Sequence, residues 1–95
     1  MLRFEWNEAK SLENRRKHGV GFEEAETVFY DERGVLIEDE DPRGEERLVL
    51  IGLSGRLRVL VVCHTYRRRD QVIRLISARK ANRAERSDYE RRWKR

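Results

Sequence analysis

Apolar residues recur along this chain with two different periods. Phe22, Ala25, Val28 and Phe29 return at helical spacing, which predicts a short helix through "FEEAETVFY". From Gly34 onward, Val, Leu and Ile alternate with polar residues or run together between turn residues, which predicts strands. Ahead of both, Leu2 to Glu5 reads as a short first strand. Asn7 is placed to cap a first helix whose early Glu8 and Glu13 and late Arg15, Arg16, Lys17 and His18 complement its dipole. Gly19 is placed to end that helix.

Turn residues divide the strand region. "DPRG", Asp41 to Gly44, fits a type I turn with proline at its second position and glycine at its fourth. Ser54-Gly55 fits a two-residue hairpin loop between "RLVLIGL" and "RLRVLVVCHTY". "RRRD", Arg67 to Asp70, then reverses the chain into "QVIRLISAR". Three hairpins in succession predict a four-stranded antiparallel meander. Asn82 and Glu85 form a capping-box pair at the start of a last helix, Arg83 to about Trp93, with Ala81, Ala84, Tyr89 and Trp93 broadly on its docking side. The expected fold is therefore α+β, in one domain spanning residues 1–95: a short N-terminal strand, two helices, the meander and a C-terminal helix.

Charge adds a second division. The net charge is +4, but residues 1–55 carry 8 Lys/Arg against 14 Asp/Glu, and residues 56–95 carry 14 against 4. The basic half can attract a polyanion; the competing explanation is mutual neutralisation of the two halves. The lone Cys63 excludes an internal disulfide and, with a chain that starts directly on a structured segment, leads us to expect a reducing cytoplasm. The longest apolar run, Leu57 to Cys63 broken by Arg58, is too short to span a bilayer, so no membrane partner is expected.

Candidate chemistry narrows from there. No zinc site or other cofactor is expected, because Cys63 and His64 project from opposite faces of a strand and His18 has no nearby cysteine. The acidic "EDEDPRGEE" lacks the spacing of a calcium loop, and no glycine-rich phosphate loop is present. Leu60, Val62, His64 and Tyr66 share one strand face beside Arg67, Arg68 and Arg69. A two-residue Ser54-Gly55 loop would set Leu53 opposite Arg56, Glu45 opposite His64 and Arg47 opposite Val62. In the next hairpin, an even loop brings Ile73 and Ser77 to the His64 face, and an odd loop brings Arg74 there. Arg79 lies roughly 20 Å from that rim at ~3.3 Å per residue, so the arginines, with Arg56 and Arg58, can form a track for several phosphates.

Across nearly the whole chain, "FEWNEAKSLENRRKHGVGFEEAETVF", "EERLVLIG", "VVCHTYR" and "IRLISARKANRAERSDYE" resemble, in that order, BrnT toxins of bacterial type II toxin–antitoxin systems. The resemblance carries over on Lys17 to Gly19, His64 to Arg67 and Ser77 to Lys80. It implies a RelE-like ribonuclease fold, RNA cleavage that stops translation, and a cognate BrnA-type antitoxin that supplies any contact with operator DNA. Metal-free cleavage by the neighbouring 2′-hydroxyl needs a base, an acid and cations at the phosphate. Candidates for that work are His64 as base or acid, Tyr66 as proton partner or stacking platform, and Arg67, Arg74 and Arg79 at the backbone. Lys17, Arg58, Arg68, Arg69 and Lys80 are the expected RNA-binding residues. A non-catalytic nucleic-acid-binding module using the last helix, or a purely interacting protein with a solvated basic surface, are the alternatives.

Overall fold

A computed structural model describes residues 2–40, 46–67, 69 and 71–92. The elements are β1 (Phe4–Glu5), α1 (Glu8–His18), α2 (Phe22–Thr27), a 3-10 turn (Val28–Tyr30), β2 (Val35–Glu40), β3 (Glu46–Leu53), β4 (Val59–Arg67), β5 (Val72–Lys80) and α3 (Arg83–Arg91). The architecture is α+β as expected. The expected turn at Asp41 to Gly44 and the Trp93 end of α3 lie outside the described residues.

Helix boundaries follow local chemistry. Asn7 Oδ1 accepts from the Lys10 N–H at 3.1 Å, and Gly19 adopts φ 73°, a left-handed conformation that glycine takes without a Cβ clash. Asn82 and Glu85 form the reciprocal capping box, with 2.8 Å bonds in both directions.

The sheet differs from the expected one. Among the described residues its order is β1-β5-β4-β3-β2, so the antiparallel meander is present but β1 joins its edge parallel to β5, pairing Phe4 with Ile73 and Glu5 with Arg74. A mixed five-stranded sheet replaces the four-stranded antiparallel one. The connection after β3 is also longer than two residues: Leu53 pairs with Val59, not with Arg56. The turn closes at Ser54 and Arg58, where the Ser54 N–H donates to the Arg58 carbonyl at 2.8 Å and the Leu57 N–H to the Ser54 carbonyl at 2.9 Å, with Leu57 at φ 63°; the Arg58 side chain bonds Glu24 and the Gly19 carbonyl, the latter at 2.9 Å. His64 consequently faces Leu48 rather than Glu45, and Val62 faces Leu50 rather than Arg47.

α1 and α2 cover one sheet face. Val20, Phe22, Ala25 and Val28 pack there on Leu50, Leu60, Val62, Ile73, Leu75 and Ala78. Each large apolar side chain buried this way contributes about 1.5–3 kcal/mol. On the other face, α3 brings Tyr89 over Ile51, Val61 and Ala81. Asp31 fastens that second layer by accepting from the Tyr89 hydroxyl and from the Leu53 N–H at 2.8 Å.

α1 docks through polar atoms. Asn14 donates to the carbonyls of Val20 and Ala78, each at 2.7 Å, and accepts from the Ala78 N–H at 3.2 Å. Its carboxamide thus binds both backbone groups of Ala78 beside the point where β4 and β5 slip register, between Cys63 and His64. Because Asn14→Ala strands three buried backbone groups, it is expected to destabilise the fold by about 2–4 kcal/mol. Urea unfolding of the variant measures this, and a loss within about 0.5 kcal/mol would show that these groups find other partners.

Candidate functional site

The register slip decides which side chains share a face. Ile73 lies opposite Tyr66 and Leu75 opposite His64, but beyond the slip Ala78 pairs with Val62 while Ser77 pairs with Cys63. Ile73 therefore reaches the His64 face as an even loop requires, and Ser77 does not. Arg74, paired with Thr65, projects from the face opposite His64.

His64 lies in the core, fully buried, with Phe29 edge-on at 4.7 Å and Tyr66 edge-on at 5.6 Å between ring centres. Its Nδ1 lies 3.2 Å from the Val62 carbonyl; a carbonyl only accepts, so Nδ1 carries the proton. Nε2 is then an acceptor, and it has no partner among the described residues. Burial lowers the imidazole pKa below its ordinary value, partly offset by the Val62 bond, and keeps the ring neutral.

Among the described residues, the opposite sheet face is open beyond α3. A groove of about 630 Å³ lies there, lined by Lys10, Arg47, Thr65, Tyr66, Arg67 and Arg74 among others. At its edge one oxygen of Glu5, Oε1, accepts from Arg67 at 3.1 Å and from Arg74 at 3.3 Å. Arg67 and Arg74 use a single Nη1 each for this contact, and their other N–H groups have no protein acceptor among the described residues. Each remaining fork is therefore available to a phosphate. Tyr66, 37% exposed, stands at the boundary, lining this groove and also an apolar hollow of about 580 Å³ on the His64 side with Leu2, Phe29, Leu36 and Ile73.

Of the remaining sequence candidates, Lys17, Arg58, Arg79 and Lys80 gather at the other end of the sheet. Arg79 makes a two-pronged ion pair with Glu85, both bonds 2.8 Å, which ties the end of β5 to the first turn of α3. This pairing holds the Arg79 guanidinium more firmly protonated, with some opposition from burial, and lowers the Glu85 pKa. Arg58 is committed to Glu24, and Lys17 pairs with Glu13 one turn away at 2.9 Å. Lys80 is exposed at the end of β5, its Nζ beside Gly19. Arg69 is exposed in the β4–β5 turn with φ 57°, and Arg68 lies outside the described residues. Five residues of β5, or about 17 Å at ~3.3 Å each, separate Arg74 from Arg79.

Glu5, Lys10 and Arg47 were not sequence candidates. Alternation along "RFE" puts Glu5 on the face opposite Phe4, but its partner strand lies near the other end of the chain, and no local pattern names it. Among the described residues no three His, Cys, Asp or Glu side chains come together as a metal site, and no helix is long and apolar enough to cross a membrane.

An α+β domain with an arginine-lined groove on an uncovered sheet face has the makeup of a protein that handles an anionic polymer. The family model for the ribonuclease toxin BrnT of type II toxin–antitoxin systems matches residues 6–85, and the chain belongs to that family. The family's activity is that of a ribonuclease toxin, and its type II system implies an antitoxin partner. No curated protein sequence matches the chain.

Proposed function

We propose that this ribonuclease toxin cuts RNA in the Arg67–Arg74 groove without a metal, by attack of the 2′-hydroxyl on the adjacent phosphate, and so stops translation in the cytoplasm. The observation that carries this reading is the convergence of two guanidinium groups on one anionic oxygen at the groove edge. A phosphate held by both forks has the cations that a pentavalent transition state requires. O2′ bonds to phosphorus, the P–O5′ bond breaks, and the products are a 2′,3′-cyclic phosphate and a 5′-hydroxyl. The Tyr66 ring lies on the His64 face, edge-on to that imidazole and opposite Ile73, so the proton for O5′ comes from water rather than from Tyr66. His64, buried on the other face, is assigned to the core rather than to proton transfer. Arg58 and Arg79 are assigned to ion pairs that hold loops and α3 in place. Lys17, Arg69 and Lys80, exposed around the ends of the sheet, add long-range attraction for RNA.

The same reading specifies the partner. A BrnA-type antitoxin that lays acidic residues across the groove would neutralise Arg67 and Arg74 and exclude RNA, with operator DNA contacted only through the antitoxin. A RelE-like fold is part of the same reading, supported by a meander with N-terminal helices on one face and a C-terminal helix on the other.

Purified protein is expected to cleave single-stranded RNA in EDTA, to leave cyclic phosphate ends, and to stop when the antitoxin is added. Cleavage that returns only with a divalent metal would overturn the metal-free mechanism. RNA bound at the exposed arginines of α3 (Arg83, Arg86 and Arg91) but never cut would favour the binding-module alternative.

A further inference from the structure

Resting on that reading of the groove, we propose that Glu5 is the catalytic base, taking the proton from the attacking 2′-hydroxyl through Oε2. Glu5 lies one residue before the family-matched segment, so the inference stands on geometry. Its Oε1 is held by Arg67 at 3.1 Å and Arg74 at 3.3 Å, while Oε2 accepts nothing from any described residue. The carboxylate is therefore oriented through one oxygen and open through the other.

Position follows from the sheet. Glu5 is the ladder partner of Arg74, so the backbone sets carboxylate and guanidinium side by side. Phe4, on the opposite side of β1, packs edge-on against Phe29 at 5.3 Å between ring centres and holds the short strand in register. A phosphate on the free prongs of the two forks shares its cations with Glu5, and the 2′-oxygen of the preceding ribose is only four bonds from phosphorus, through C2′, C3′ and O3′. That places the hydroxyl within reach of Oε2.

The proton balance closes on groups already present. Glu5 Oε2 gains the proton of O2′, O2′ forms its bond to phosphorus, and O5′ departs with a proton from water. The hydroxide left by that water takes the proton from Glu5, which returns to carboxylate. The arginines have two tasks: they stabilise charge at phosphorus and keep the base aimed.

Single-turnover cleavage of a single-stranded RNA oligonucleotide, with RNA affinity measured separately, tests this with Glu5→Gln, Arg67→Ala and Arg74→Ala. Glu5→Gln keeps an oxygen for the guanidinium groups but removes the base. Cleavage is expected to slow by roughly 10²- to 10⁴-fold and affinity to stay equal or rise. Glu5→Asp, which retains a carboxylate, is expected to cleave at a rate between those of wild type and Glu5→Gln, and provides the test if the glutamine variant does not fold. Folded Glu5→Gln cleaving within a few-fold of wild type while either arginine variant is slow would make Glu5 an ion-pair partner only. Full cleavage by all three would overturn the groove itself as the site.

Discussion

Arg74→Ala is expected to slow single-turnover RNA cleavage by roughly 10²- to 10³-fold, the effect of removing one preorganised donor from a developing oxyanion. Arg74 carries this effect because it is anchored at three points: the backbone pairs with Thr65 and with Glu5, and its guanidinium meets Glu5 with its side chain only one-third exposed. Arg74→Lys keeps the charge but loses the planar fork, and is expected to recover only a small part of the rate. Arg79→Ala supplies the contrast. Its guanidinium is already engaged with Glu85, so its removal is expected to leave the chemical step near wild type and to cost about 1 kcal/mol or less, a few degrees in Tm, for a half-exposed pair. Measuring rate and melting temperature for both variants separates the two arginines. A slow chemical step in well-folded Arg79→Ala would return that residue to the site.

Sequence legibility followed distance along the chain. Asn7, Gly19 and the Asn82–Glu85 box were readable because each cap is decided within one helical turn. The meander was readable because turn residues and alternation specify hairpins locally. What failed depended on remote partners. The loop after β3 is tied to α2 through the Gly55 N–H on Thr27 and Arg58 on Glu24, and the Ala78 side of the β4–β5 slip is held by Asn14 in α1. β1 found β5 across most of the chain, and with that pairing came Glu5, which charge counting had placed among the acidic half. The candidate site shows the same limit. An excess of arginine toward the C-terminus was plain, but its division between a groove and a set of structural ion pairs is visible only when each guanidinium's partner is known.

His64→Leu is expected to cleave RNA within a few-fold of the wild-type rate while changing how stability responds to acid. The imidazole is walled in by Phe29 and Tyr66 and faces away from Arg74, so a side chain of similar bulk can fill its place. Burial depresses its folded-state pKa, whereas the unfolded chain titrates near the ordinary histidine value of about 6.5. Below that pH the unfolded state binds more protons than the native one. The stability contributed by neutral His64 is therefore fully present above about pH 6.5 and is lost as pH falls toward the folded pKa, at up to about 1.4 kcal/mol per pH unit. Glu26, whose carboxyl pKa burial raises, works in the opposite sense, and comparison with His64→Leu cancels it. Urea midpoints at pH 7.5, 6.5 and 5.5 should show a steeper acid loss in wild type than in His64→Leu. His64→Ala, which leaves a cavity, is expected to lose about 2–4 kcal/mol at neutral pH. A folded His64→Leu protein that cleaves RNA 10²-fold more slowly would put the buried imidazole into the chemistry and require the Phe29 and Tyr66 rings to part during turnover.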